Sequence, residues 1–368
     1  MLKFHWDNLI KGWQFMKKYM SIFLVFIGLE IVFAASISGE GGQREKPKIL
    51  IKIATVAPKG SYSMNLLEKL RDEIRSKTNN EVAWKVYWGG VQGDENNVLR
   101  KIRLKQLHGG VFSSIGLSQI VPAVRITEIP YLFRNYGEVV YVRNKIEDTM
   151  NKLFEDKGFI VLGWTSIGFI YSFSMEPITS FEIMKKQKWW LPKGDPLSIA
   201  YFKSLDITPI PLSITDVMTS LSTNLINGVG ITPFFALAFR WHARFKYMSD
   251  FPTCNIVGAM IITKKIWDKV SPKSQKFIRE ISMRNQLSLN RIIRRTNRNS
   301  VKILKEAGIK IVHVDPKGKF KQYCFAAAKR TRESLIGKYY PRDLLNKILV
   351  WLEEYRKKHP ESAYEIIK

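Results

Sequence analysis

The sequence is poor in the residues that hold metals or cross-link a chain. It contains two cysteines, Cys254 and Cys324, which are too few for a disulfide framework and leave open whether the two thiols pair. Its five histidines include no pair at metalloprotease spacing, and no Cys/His cluster suggests zinc. We therefore expect neither a metal nor any other cofactor.

Familiar catalytic motifs are also absent from the sequence. There is no GxSxG nucleophile elbow, no Walker phosphate loop and no GxGxxG dinucleotide fingerprint. The adjacent carboxylates Asp94 and Glu95 stand at a predicted helix start, where helix capping explains them. The sequence therefore indicates a protein that is not an enzyme.

Acidic charge is scarce, with 32 Asp and Glu against 59 Lys and Arg, which gives a net charge of +27. Such an excess is typical of proteins that bind nucleic acids. Here the basic residues are spread along the chain, and the densest run, Arg291–Arg298, lies within a helical pattern. No zinc-finger, RNA-binding or basic-zipper signature accompanies them. We interpret the charge as a solvated surface and expect no nucleic-acid partner.

Long apolar runs are confined to the N-terminal part of the chain. The pair Lys17-Lys18 precedes an apolar run over 20–35, and small residues follow it. A cationic start, a short apolar stretch and small residues are typical of a secretory signal. We predict that residues 1–38 are a signal peptide or an uncleaved membrane anchor, and that 39–47 form a disordered linker. Either leader predicts a periplasmic protein.

Short apolar runs alternate with amphipathic stretches through the rest of the chain. Apolar runs at 49–55 and 82–88 flank an amphipathic helix at 63–77, and a similar alternation restarts near residue 159. This pattern predicts an α/β protein with mostly parallel sheets, in which ligands bind at the carboxyl ends of strands. A helical pattern over 274–306 without Pro or Gly is long enough to span two lobes.

Four segments of the chain resemble the solute-binding proteins of TRAP transporters, the DctP-like family. The segments are GGVQGDE at 89–95, IPYLFRN at 129–135, PLSITDV at 211–217 and SLSTN at 220–224. No one of them is decisive alone, but their order and spacing are similar to those of the family. The chain is therefore identified as a member of it.

The resemblance implies a periplasmic-binding-protein-like clamshell with a ligand cleft between two lobes. Lobe I would cover 48–169 and lobe II 170–258, while 259–368 would return to lobe I and supply the long helix and C-terminal helices. Such a receptor captures a small molecule and delivers it to a TRAP-type membrane permease. A ligand-sensing or structural exported protein is the alternative of another class.

Two cleft positions depart from the family pattern. Members that carry carboxylic acids resemble one another in an arginine at each position, which pairs with the ligand carboxylate. Trp190 and Ile170 occupy these positions here, so the resemblance implies a divergent member with an apolar, aromatic or amphipathic ligand. A displaced cation such as Arg134 or Arg240 could restore organic-acid binding instead.

The candidate ligand-binding residues are apolar walls and a few polar contacts. They are Phe112, Trp164, Phe169, Ile170, Trp190, Phe234 and Trp241, with Ser113, Ser114 and Thr232 as polar contacts. Core packing is the alternative for Trp164 and Ile170, and a place at the cleft rim is the alternative for Trp241. Because strand residues alternate faces, we expect only one of Trp189 and Trp190 to face the cleft.

Overall fold

The computed structural model describes residues 46–60, 62–315 and 317–367. The predicted leader, 1–38, and most of the predicted linker, 39–47, lie outside these residues. Across the described part of the chain, no helix combines the length and the apolar character needed to cross a bilayer.

Lobe I is built on a five-stranded sheet with the strand order β2-β1-β3-β10-β4. Its strands are β1 (Ile49–Ala54), β2 (Val82–Tyr87), β3 (Gly109–Ser113), β4 (Phe159–Phe169) and β10 (Asn255–Thr263). Strands β1, β2 and β3 are parallel, and β10 runs antiparallel to both of its neighbours. The strands are largely apolar, with Ile51, Ile53 and Ile261 fully buried, as expected for a sheet covered on both faces.

Lobe II is built on a four-stranded sheet with the order β11-β9-β5-β8. Its strands are β5 (Tyr171–Ser174), β8 (Gly228–Ile231), β9 (Tyr247–Ser249) and β11 (Lys310–Val312). A parallel ribbon of β6 (Trp190–Pro192) and β7 (Ile210–Leu212) is joined to β8 by a bridge between Trp189 and Gly228.

The predicted two-lobed α/β architecture is confirmed, but the sheets are mixed rather than mostly parallel. In lobe II, β5 is antiparallel to both β8 and β9. In lobe I, β10 is antiparallel to β3 and β4. The reason is topological: β4 leads out to lobe II, and β10 returns beside it in the opposite direction.

Two short crossing segments connect the lobes. The chain leaves β4 for β5 through Ile170, and it returns from β9 to β10 through Thr253 and Cys254. The Ile170 amide donates to the Cys254 carbonyl over 2.8 Å, and the Thr253 amide donates to the Ile170 carbonyl over 2.9 Å. The segments therefore pair with each other. The predicted second boundary at 258/259 falls inside β10.

The helices of the described residues follow the strands in the predicted alternation. They are α1 (Tyr62–Lys77), α2 (Glu95–Arg103), α3 (Ser114–Ser118), α4 (Tyr136–Asp156), α5 (Phe181–Lys186), α6 (Pro196–Ser204), α7 (Val217–Ser222), α8 (Pro233–Ala238), α9 (Lys264–Trp267), α10 (Pro272–Glu306), α11 (Lys319–Ser334) and α12 (Arg342–Lys358). Short 3-10 helices cover Pro122–Glu128, Ile214–Asp216 and Trp241–Arg244.

Helix α10 is the predicted lobe-spanning helix. It packs against β4 and α1 in lobe I and against α8 in lobe II. Its residue Asn297 donates from Nδ2 to the Ile167 carbonyl over 3.0 Å and accepts at Oδ1 from the Phe234 amide over 3.2 Å. This one side chain therefore bonds the main chain of both lobes beside the crossing segments.

Candidate functional site

A cavity of about 290 Å³ lies between the lobes, beside the crossing segments. Its wall includes the carboxyl end of β3, the crossing residues Ile170 and Cys254, and side chains of α6, α8, α10 and α11. Aliphatic and aromatic side chains predominate in the wall. This is the position at which an α/β fold ordinarily binds a ligand.

Six of the residues predicted from the sequence lie in this wall. They are Phe112, Ser113, Ser114, Ile170, Trp190 and Phe234. They come from β3, α3, the outgoing crossing segment, β6 and α8, so the fold collects them from both lobes. Their direct contact with a ligand remains a prediction.

Trp164 and Phe169, which we also predicted, lie outside the wall. Trp164 donates from Nε1 to Asn151 Oδ1 over 2.8 Å and packs edge-on against Phe154. Phe169 is buried edge-on against Tyr136. Both side chains therefore pack within the apolar core of the protein.

Thr232 and Trp241 also lie outside the wall and support it from behind. The Thr232 hydroxyl caps α8 by accepting from the Phe235 amide over 3.4 Å. The Trp241 ring is buried and meets the Trp190 ring edge-on, with 5.3 Å between their centroids. Trp241 thus holds the Trp190 ring in place and is not an exposed rim residue.

Trp190 and its neighbour Trp189 both contribute to the wall, although we expected only one to do so. The Trp190 indole donates to the Leu212 carbonyl over 3.1 Å, and the Trp189 indole donates to the Met184 carbonyl over 2.7 Å. Trp189 forms the bridge to Gly228 directly before β6, and its ring still reaches the wall. With both N–H groups already bonded, the rings offer a ligand only apolar surface.

The Ser113 hydroxyl is bound by the partly buried carboxylate of Glu95. Glu95 accepts from the Ser113 amide over 2.6 Å, from the Ser113 hydroxyl over 2.9 Å and from the Gly116 amide over 2.7 Å. Burial raises the pKa of Glu95 to about 7, although these hydrogen bonds oppose the shift. Glu95 therefore ties α2 to the junction of β3 and α3, at the edge of the cavity.

Arg125 is a wall residue that the sequence analysis missed. It is 3% exposed, and its guanidinium donates to the two carboxylate oxygens of Asp195 over 2.7 and 2.9 Å. It also contacts the Glu128 carboxylate and the Ser114 hydroxyl. Arg125 belongs to the 3-10 helix Pro122–Glu128 of lobe I, whereas Asp195 caps α6 in lobe II. The cation therefore joins the lobes and is already neutralised by the protein.

Lys321 is a second wall residue that the sequence analysis missed. It belongs to α11 and is 4% exposed. Its Nζ lies 4.2 Å from the Tyr131 ring centroid and 3.8 Å from that of Phe251. Burial lowers the pKa of its amine to about 7. A lysine inside an amphipathic helix of a strongly basic chain gave no signal that distinguished it from a surface residue.

The two displaced cations suggested by the sequence do not line the cavity. Arg134 lies over the Tyr364 ring, 5.7 Å from its centroid. Arg240 stands at a left-handed position, with φ 59°, just before the Trp241–Arg244 turn. Cys254 and Cys324 both line the cavity as free thiols. In the described part of the chain, no group of three or more His, Cys, Asp or Glu residues could hold a metal ion.

The chain also matches the sequence model of a known protein family. The family model of the DctP proteins, described as bacterial extracellular solute-binding protein, family 7, matches residues 53–333. This range contains the whole cavity wall, the crossing segments, helix α10 and both sheets except for the first four residues of β1.

Individual relatives are distant but cover most of the chain. A solute-binding protein of Chromohalobacter salexigens is 23% identical over 69% of this chain and 76% of its own length. The ectoine/5-hydroxyectoine-binding periplasmic protein UehA of Ruegeria pomeroyi is 21% identical over 72% of this chain and 77% of its own.

A solved structure has the same fold. A TRAP periplasmic solute-binding protein from Haemophilus influenzae, with bound L-gulonate, superposes with a TM-score of 0.76 at 20% identity, over 82% of this chain and 99% of that one. The chain therefore belongs to the DctP family of bacterial extracellular solute-binding proteins, the solute-binding components of TRAP transporters.

Proposed function

We propose that this protein binds a small apolar or amphipathic molecule in the cavity between its lobes and delivers it to a TRAP-type permease. The observation that carries the proposal is the wall itself, where Trp190 and Ile170 present apolar surface at the two positions of the expected arginines. Apolar area with a few placed polar groups is the usual basis of binding in such a cavity.

Arg125 is the arginine in the cavity wall, but its guanidinium is not free to bind a ligand carboxylate. Arg125 is held by Asp195 and Glu128, so a ligand carboxylate would have to displace one of two buried acidic partners. Displacement would leave that partner buried and unpaired, which costs about 2–7 kcal/mol for a polar group and more for a charge. A polyhydroxylated acid that needs a guanidinium clamp is therefore disfavoured at this position.

Organic-acid binding with a displaced cation is the second candidate. It is favoured by the L-gulonate bound in the Haemophilus influenzae relative, since gulonate carries a carboxylate. A ligand that combines an apolar body with one acidic group would satisfy both candidates. Export by the N-terminal leader, with or without membrane anchoring, is part of the same proposal.

Trp190→Arg is expected to weaken binding of the native ligand by about 10- to 100-fold, because it leaves an unpaired cation in an apolar wall. The ligand would first be identified by mass spectrometry of the protein as purified, and its affinity then measured by calorimetry. Ile199→Arg is the matched control, since Ile199 is exposed on α6 and lies outside the wall. If the affinity of the Trp190 variant for the ligand is unchanged, Trp190 is not part of the binding site.

Ligand binding is expected to favour the closed arrangement of the lobes without chemical change in the ligand. A ligand that touches both lobes stabilises the closed state by its differential affinity. Small-angle scattering with and without the ligand measures closure, and chromatography of the recovered ligand detects turnover. A chemically altered product would favour an enzyme, whereas binding without closure would contradict the clamshell mechanism.

A further inference from the structure

We propose that Lys321 forms the anion-binding end of the cavity, so that the ligand is an amphipathic monocarboxylate with its acid group against this amine. This inference rests on the proposed function and deepens it by naming the substrate class. The apolar body of such a ligand would lie along the wall that contains Trp190, and its carboxylate would meet Lys321 in the same cavity.

The amine of Lys321 is surrounded by aromatic rings. Its Nζ lies 3.8 Å from the Phe251 ring centroid, 4.2 Å from that of Tyr131 and 5.8 Å from that of Phe325. Aromatic rings attract a cation through their quadrupoles, but this attraction is weaker than that of a hydrogen-bonded carboxylate. The rings hold the amine in one place without replacing the hydration that burial removes.

The protein supplies no anionic partner for this amine. Among the described residues, Lys321 Nζ makes no hydrogen bond and has no carboxylate oxygen within 4.0 Å. The charge of Asp250 acts on it from farther away. That carboxylate is already bound by His313 Nδ1 over 2.6 Å and by the Val314 amide over 3.0 Å.

Within the described residues, Lys321 differs from Arg125 in having no carboxylate partner, which supports a role in binding an anionic ligand. Both are buried cations in one wall, but Arg125 has two carboxylate partners and Lys321 has none. A buried ammonium without a partner is costly, and burial lowers the pKa of Lys321 to about 7. A ligand carboxylate would supply the missing partner and favour the protonated amine.

Two phenol groups extend this end of the cavity. Tyr201 donates its hydroxyl proton to the Tyr131 hydroxyl over 3.2 Å, and both residues line the wall. Cys324 lies one helical turn after Lys321 and faces the same cavity. Burial raises the pKa of both tyrosines and of the Cys324 thiol, so these neighbours are uncharged near neutral pH. The amine is therefore the charged group that an acid would meet here.

Octanoate and octanamide form a test pair that differs only in charge at one end. Calorimetry at pH 6.5 on the extensively dialysed wild-type protein is expected to find octanoate bound about tenfold more tightly than octanamide. Lys321→Met is expected to abolish the preference, and Lys321→Arg to retain it. Lys329→Met is the matched control, because Lys329 is exposed on the same helix.

The outcomes separate this inference from the proposed function. Equal affinity of the wild type for octanoate and octanamide would overturn the anion site while leaving an apolar cavity in place. This measurement does not depend on whether any variant folds. A preference for octanoate that survives in Lys321→Met would also overturn the anion site. Tight binding of gulonate with no binding of either octanoate or octanamide would contradict the proposed function itself.

Discussion

Arg125→Met is expected to lower the free energy of unfolding by about 3–5 kcal/mol, the usual cost of removing one partner from a buried ion pair. The substitution would leave the carboxylates of Asp195 and Glu128 buried without their cation. Burial already raises the pKa of Glu128, and without the guanidinium the carboxyl would protonate still more readily. Urea denaturation at pH 7 measures the loss, which should shrink as the pH falls toward 5.

Two companion variants separate the buried pair from a general effect of losing an arginine. Arg284→Met removes an exposed arginine that pairs with Glu73 over 2.6 Å, and its expected cost is below about 1 kcal/mol. Adding Asp195→Asn and Glu128→Gln to Arg125→Met should recover part of the stability, because no buried charge then lacks a partner. Equal losses in the Arg125 and Arg284 variants would contradict the assignment.

Lys321→Met is expected to have the opposite effect and raise stability at pH 7 by about 2–4 kcal/mol. Methionine has a similar length and needs no partner when buried. Burial lowers the pKa of the Lys321 amine to about 7 in the folded protein, from an ordinary value of 10.5. Between pH 7 and pH 10 the Lys321 amine is therefore protonated in the unfolded chain but largely neutral in the folded protein. Because the unfolded chain binds more protons, the free energy of unfolding of the wild type should rise over this range.

Denaturation of the ligand-free protein at pH 7 and pH 10 tests this sign. The Lys321 contribution is the difference in pH slope between the wild type and Lys321→Met, since other groups titrate equally in both. Lys329→Met, exposed on the same helix, should retain the wild-type slope. A slope that Lys321→Met leaves unchanged would mean that the buried amine has a partner in solution.

The local structure of this protein could be predicted from its sequence to a large extent. The apolar period of the 274–306 segment predicted α10, and its length predicted the contact with both lobes, because no Pro or Gly interrupts it. The mixed direction of the sheets could not be predicted in the same way. A strand such as β10 is apolar whether it runs parallel or antiparallel to its neighbours, so its direction is decided by the crossing segments.

The cavity was predicted only in part, for a physical reason. The apolar residues Trp190 and Ile170 were singled out because the resemblance to carboxylate-carrying members implied an arginine at each position. Arg125 could not be found by local pattern, since its main partner Asp195 lies 70 residues away. Lys321 has no local signal either, because its burial depends on the rings of Tyr131 and Phe251, which other parts of the chain contribute.

The ion pair between Arg125 and Asp195 has a consequence for the rates of exchange. The bond joins the two lobes in the arrangement described here and adds to the stability of that arrangement. Where a molecule enters or leaves by parting of the lobes, the pair must separate first, and this adds to the barrier in both directions. The pair therefore lengthens the residence time of whatever the cavity holds, and Asp195→Asn should shorten it in a stopped-flow release experiment.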